Sequence, residues 1–182
     1  MSRTSKRAAS PSDSAKQAGP GEPGPKNQKN QDLVRQFAWQ IASISVHLDE
    51  IRQYWARALG ISGPQWMILM ALADIDQGDG VSVKVVSKML HVDPSFVTTQ
   101  SKMLEKKGFM RRKTSPVDAR IVQMSLTDKT YKYIANLASQ QEALNEFIFA
   151  EFGDRELADL NVKLASLTKR LEKARLKVAI EI

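Results

Sequence analysis

Residues Val81 to Thr127 read VSVKVVSKMLHVDPSFVTTQSKMLEKKGFMRRKTSPVDARIVQMSLT. Ser82 supplies a side-chain acceptor just before an apolar-periodic run through Val83, Val85, Val86, Met89 and Leu90, which predicts a short capped helix. Asp93 then precedes Pro94, an N-cap acceptor followed by a residue whose fixed φ suits the first helical turn, so a second helix begins there. Its inward stripe is Val97, Ser101 and Leu104. That leaves Ser95, Thr98, Thr99 and Lys102 on or near the opposite side, and Phe96 is expected to pack on the first helix. Gly108 closes the second helix, because a residue without Cβ adopts the left-handed C′ conformation at little cost. Arg111, Arg112 and Lys113 follow as the base of a hairpin. Ser115-Pro116-Val117-Asp118 is a turn signature, and Arg120 to Leu126 reads as the returning strand. Two short helices followed by a basic hairpin predict a winged helix-turn-helix, one helix addressing a major groove and the hairpin a minor groove.

Charge is concentrated in the same segment. Lys84 to Lys132 holds eleven Lys and Arg against four acids, an excess of seven that equals the net charge of the whole chain, +7. The remainder is therefore neutral, and the positive excess sits where a polyanion would dock. A run such as Lys106, Lys107 and Lys113 more commonly just solvates a surface, and here its place in the helix-turn-helix pattern argues for more.

The run Val97 to Arg111, in the form V-x-x-x-S-x-x-L-E-K-K-G-F-M-R, is followed by Asp118-Ala119-Arg120 and then Ser125-Leu126-Thr127. In these residues and their spacing the chain resembles the MarR family of bacterial transcription regulators, and the likeness extends over about residues 31 to 180. The resemblance implies that Asp118 orients the wing and that Arg120 enters the minor groove, with Ser95, Thr98, Thr99, Lys102, Arg111, Arg112 and Lys113 completing the DNA-binding set. The glycine often found soon after L-T is absent, and Lys129-Thr130 stands there instead. It further implies a homodimer on a pseudo-palindromic site in double-stranded DNA, and a small-molecule effector that lowers DNA affinity.

The flanking sequence fits that plan. From Gln31 to Leu59, Val34, Phe37, Ile41, Ile44, Leu48, Ile51, Trp55 and Ala58 recur at three- and four-residue steps, predicting one long helix ended by Gly60. A helix from Ser62-Gly63-Pro64 carries Trp66, Ile68, Leu69, Leu72 and Ala73 and is broken at Asp76 to Gly80. Beyond the wing, Thr127 caps a helix with Tyr131, Ile134, Leu137, Ala138, Leu144, Phe147 and Ile148. After Gly153, a last helix carries Leu157, Leu160, Leu164, Leu167, Leu171 and Ala174. These amphipathic ends exceed what one small core needs, which predicts pairing with a second copy. The expected organisation is a basic, disordered tail over residues 1–30 and a single domain over 31–182. Within that domain the dimerisation helices lie at 31–59 and 127–180, and the winged helix-turn-helix at 61–126. The tail either brushes DNA phosphates or is a solvated extension.

For the effector, the resemblance places a cleft between the dimer helices and the winged helix. Candidates for its walls are Trp39, His47, Tyr54, Trp66 and Met70, with Arg52 and Arg111 as cations for an anionic ligand. Trp55 falls on the main seam and reads as core. Trp39 and His47 lie off it, where a pocket and a dimer interface are equal alternatives. The run from Trp39 to Trp55 is also similar to regulators of aromatic-acid breakdown, implying an aromatic acid or its CoA thioester as ligand.

Other classes are poorly served. The chain has no cysteine, which removes disulfides, thiolate metal sites and the peroxide-sensing chemistry of one branch of the resembled family. His47 and His91 are far apart, so no metal is expected. No phosphate loop or nucleophile motif occurs, and neither enzyme activity nor a cofactor is expected. No apolar run approaches the roughly 20 residues of a membrane span, so a cytoplasmic protein without membrane contact is the expectation. The competing reading is a constitutive or architectural DNA-binding protein without an effector.

Overall fold

A computed structural model describes residues 25–181, with side chains from 30 to 180. Nine elements follow one another: α1 (Pro25–Ala58), α2 (Gly63–Ile75), β1 (Val81–Ser82), α3 (Val83–Leu90), α4 (Pro94–Lys106), β2 (Met110–Thr114), β3 (Val122–Leu126), α5 (Asp128–Phe149) and α6 (Asp154–Glu181). The fold is mainly helical with one small antiparallel sheet in the order β1-β3-β2. The chain divides into two compact units with the boundary between Ile51 and Arg52, inside α1.

The caps anticipated in the sequence form. Ser62 starts α2 with a reciprocal capping box to Gln65, Ser82 accepts from Val85 N at the head of α3, and Thr127 accepts from Thr130 N at the head of α5. Asp93 Oδ1 accepts from Ser95 N at 2.7 Å at the head of α4. Between α2 and β1, Asp76 Oδ1 accepts from both Gly78 N and Gly80 N at 2.9 Å, which folds the chain back after the helix. Gly80 has a φ of 76°, and a Cβ there would lie 3.2 Å from Gln123 Cβ on the neighbouring strand.

The core of the second unit lies between α2, α3, α4 and the sheet. Ile68, Leu69, Leu72, Val86, Val97, Leu104, Met110 and Met124 are buried there. Burying each such side chain stabilises the fold by roughly 1.5–3 kcal/mol. Val97, Ser101 and Leu104 are all fully buried, so the stripe on α4 is the one the spacing predicts.

Several details differ from expectation. α1 begins at Pro25 rather than near Gln31, so residues 25–30 are helical and not tail; the rest of the expected tail lies outside the described residues. The seam Val34, Phe37, Ile44 and Leu48 is exposed in the single chain, in keeping with the expected surplus of apolar surface on the terminal helices. In α3 only Val86 of the five apolar positions is fully buried; Val85 and Met89 face outward because eight residues present barely two turns to the core. The returning strand begins at Val122, since Arg120 and Ile121 belong to the turn. β1 was not anticipated: two residues give no periodicity, and Val81 and Ser82 are strand only because they pair with Met124 and Gln123. Among the described residues, no single helix is long and apolar enough to cross a membrane.

Leu104→Ala is expected to destabilise the protein by about 2–5 kcal/mol, the usual cost of emptying a fully buried leucine site. Urea unfolding followed by circular dichroism measures it, and a loss below about 0.5 kcal/mol, the range of surface changes, would contradict this packing.

Candidate nucleic-acid interface

Alternation along β2 separates three adjacent cations. Successive strand residues face opposite sides, so Met110 and Arg112 turn toward the core while Arg111 and Lys113 turn out. Arg112 pairs in register with the buried Met124. Its side chain is only 12% exposed, 4.0 Å from Glu105 Oε2, and its Nε is buried with no partner among the described residues. Glu105 Oε1 also accepts from Arg112 N at 2.9 Å. Arg112 is thus inward-facing and joined to the end of α4, which sets it apart from Arg111 and Lys113 in the expected DNA-binding set. Arg111 is exposed and lies 3.7 Å from Asp128 at the head of α5.

The hairpin is closed by Ser115 N donating to Ile121 O at 2.8 Å and Ile121 N donating to Asp118 O at 2.9 Å. Its base is tied by Thr127, whose hydroxyl donates toward Gly108 O at 3.1 Å while its N–H donates to Phe109 O at 3.1 Å. Inside the turn, Asp118 holds Arg120 three times. Oδ1 accepts from Arg120 N at 2.9 Å and from Nε at 3.1 Å, and Oδ2 accepts from Nη2 at 3.3 Å. The side chain of Arg120 is nonetheless 90% exposed. A guanidinium gripped on one edge has less rotamer freedom to lose when its other edge meets an anion. The hydrogen bonds from the Arg120 side chain and backbone hold the Asp118 carboxyl below its ordinary value. Val117, 93% exposed beside them, was not singled out in the sequence because turn residues carry no periodicity.

On α4, Ser95, Thr99 and Lys102 are exposed and Thr98 is half-buried. Thr98 Oγ1 donates to Pro94 O at 2.9 Å and Thr99 Oγ1 donates to Ser95 O at 3.0 Å. Their hydroxyl hydrogens are turned back on the helix, so toward solvent they offer acceptor lone pairs and methyl groups. Lys102 is the donor of that face. Hydrogen bonds from the Ser95 hydroxyl and backbone hold the Asp93 carboxyl below its ordinary value. Phe96 is partly exposed rather than covered by α3.

The expected effector residues are more dispersed. Trp39 is 72% exposed and His47 Nδ1 lies 3.2 Å from Glu50 Oε2, both in the first unit. In the second unit, Tyr54 is exposed and meets Trp55 edge to face at 5.2 Å, and Arg52 Nη1 contacts Met67 Sδ at 3.0 Å. Trp66 is 2% exposed and belongs to the core, so its ring is taken up by packing and does not wall a cleft; Met70 is packed against that core. None of these residues lines the cavity of about 630 Å3 that lies between the α3–α4 turn and α6. Lys88, His91, Val92, Leu171, Glu172 and Arg175 surround that cavity. His91, in the left-handed conformation at the end of α3, places Nδ1 3.0 Å from Glu172 Oε1.

A helix-turn-helix of α3 and α4 followed by the β2–β3 hairpin is a winged helix, the form of a DNA-binding module. Residues 61–122 match the model of the MarR family. That match covers the winged-helix segment of this chain. Over 124 residues the chain is 23% identical to the HTH-type transcriptional regulator SarZ of Staphylococcus haemolyticus, covering 68% of this chain and 80% of that one. It is 27% identical over 112 residues to the HTH-type transcriptional repressor MdtR of Bacillus subtilis, covering 60% and 72% of the two chains. Among solved structures, a MarR protein from Peptoclostridium difficile superposes with a TM-score of 0.64 at 22% identity, over 78% of this chain and 91% of that one. The S. aureus MepR–DNA complex does so with a TM-score of 0.63 at 18% identity, over 74% and 97%.

Because Arg120 depresses the Asp118 carboxyl, the pair persists as pH falls through the ordinary aspartate range, about 3.9, and is lost only below it. Carboxyl-detected NMR titration should place the Asp118 midpoint below that value, and Arg120→Gln should move it upward. An unchanged midpoint would contradict the pairing.

Proposed function

We propose that the chain is a homodimeric, sequence-specific DNA-binding transcriptional regulator, a repressor released by a small aromatic acid or its CoA thioester. The observation that carries the DNA-binding part is Arg120, gripped by Asp118 yet 90% exposed at the wing. A side chain so presented suits the narrow, electronegative minor groove of A·T-rich steps. Ser95, Thr98, Thr99 and Lys102 on α4 address the major groove, where Lys102 suits guanine O6 and N7 and the threonine methyls suit thymine. Arg111 and Lys113 serve backbone phosphates, which fix register but carry no sequence information. Asp118 acts through Arg120. We assign Arg112 to framing the wing. The relatives support this reading: SarZ and MdtR are a transcriptional regulator and a transcriptional repressor, and the MepR structure is a complex with DNA.

Dimerisation is supported by the apolar residues left uncovered on the long helices, Val34, Phe37 and Ile44 on α1, Phe147 on α5, and Leu171 and Leu176 on α6. Uncovered apolar rows on this scale mark interaction surfaces. A twofold dimer would set its two α4 helices one DNA turn apart, about 34–36 Å, and require a pseudo-palindromic site. An effector would act by population shift, binding better to a dimer whose helices no longer match that spacing.

For the effector site, exposed Trp39 and His47 on the first unit remain the proposed aromatic contacts. The cavity beside His91 favours a second location, since its volume of about 630 Å3 falls within the usual range of ligand pockets, roughly 300–1,000 Å3.

Arg120→Ala should weaken binding to a DNA site selected from a random pool by about 1–3 kcal/mol. Fluorescence anisotropy measures it, and full affinity in a folded variant would remove the wing from the interface. Trp39→Ala and His47→Ala should bind that DNA normally but require more aromatic acid for release. A normal response in both would move the effector site elsewhere, and no response of the wild type to any aromatic acid or CoA ester would remove the effector.

A further inference from the structure

Gln100, Met103 and Lys107 form a line along α4 at intervals of three and four, beside the buried stripe and distinct from the Ser95, Thr99 and Lys102 face. This line meets the junction between α1 and α2. Gln65, 3% exposed, donates from Nε2 to Gln100 Oε1 at 3.0 Å and lies 3.8 Å from Met103 Sδ. The other end of the same amide accepts from Ser62 N at 3.2 Å as part of the α2 capping box. One turn further, Lys107 Nζ donates to Gly60 O at 2.7 Å. Gly60 ends α1 with a φ of 63°, and a cation on a carbonyl at a helix C-terminus offsets the negative end of its dipole.

We propose that Gln65 and Lys107 are positioning residues that fix the angle of α4 from the α1–α2 junction, so that Lys107 serves DNA selectivity without touching DNA. This rests on the reading of α4 as the DNA-reading helix. The physical reason is directionality. Contacts of Val97 and Leu104 with the core are non-directional and permit a small roll of the helix, whereas the buried Gln65 amide accepts a narrow range of geometry and Lys107 tethers the end of the helix to one carbonyl. Gln65 lies on α2, buried, and can influence base reading only through α4. Lys107 belongs by composition to the basic excess, yet its charge is directed to a backbone carbonyl. Both contacts end on the junction that closes α1, so a displacement of that junction would be felt by the reading helix.

The test compares wild type, Gln65→Leu, Lys107→Met and Lys107→Arg on DNA selected by the wild type from a random pool and on scrambled DNA, by anisotropy over a salt series. Gln65→Leu and Lys107→Met should each weaken the selected site roughly tenfold, the effect of losing one well-formed hydrogen bond to helix placement. Scrambled DNA and the salt slope should be unaffected, and Lys107→Arg should recover most of the loss. If Lys107→Met instead weakens both DNAs equally and reduces the salt slope by about 0.9, it neutralises a phosphate and the proposal fails. A lower melting temperature with an unchanged ratio between the two DNAs likewise overturns it, leaving a purely structural role. If Gln65→Leu does not fold, Lys107→Met and Lys107→Arg alone decide. A wild type that binds both DNAs equally would overturn the DNA-reading role of α4 itself, a result separate from any variant's.

Discussion

Val97, Ser101 and Leu104 are buried to completion against the core built from α2, and this determines which side chains α4 can show to anything outside. A helix has 3.6 residues per turn, so burying positions 97, 101 and 104 forces 95, 99 and 102 to the opposite side. Ser101 makes the close approach possible because it is small and turns its hydroxyl back to Thr98 O at 3.0 Å. The residues that α4 offers for DNA follow from this packing: with 97, 101 and 104 inside, the outward positions are 95, 99 and 102.

The second constraint is the disposition of charge. Net charge locates the basic segment but does not distinguish cations that face water from cations consumed by the fold. Arg112 is drawn inward by strand alternation and meets Glu105, and Lys107 reaches Gly60 O. Arg120 is the opposite case, held by its own neighbour yet left in solvent. The seven-charge excess therefore overstates how many side chains are available to phosphates.

How far the sequence could be read follows the same physics. The caps at Ser82, Asp93 and Thr127 and the left-handed Gly108 were legible because each depends on residues within four positions of one another. Asp118 and Arg120 were singled out by the family resemblance, and the hydrogen bonds between them appear only in the structure. The inward turn of Arg112 was not legible, because it depends on the register of β2 against β3, which brings Met124 opposite. β1 was illegible for the same reason. Trp66 was misread as a pocket wall because an aromatic ring on a helix looks the same in sequence whether its face is filled by a ligand or by the core. The clamp of Gln65 and Lys107 on α4 joins residues more than thirty positions apart, and no local pattern announces it.

In the proposed function, the winged helix reads DNA sequence as one of a symmetric pair. The most direct measurement is anisotropy of the purified protein on a selected DNA site whose two half-sites are moved apart by inserted base pairs, with scrambled DNA as reference. Tight binding at the selected spacing, a steep decline with salt, and loss of selectivity on insertion of about five base pairs, half a helical turn, are expected. Binding that is equally strong at every spacing and equal on scrambled DNA would contradict that reading.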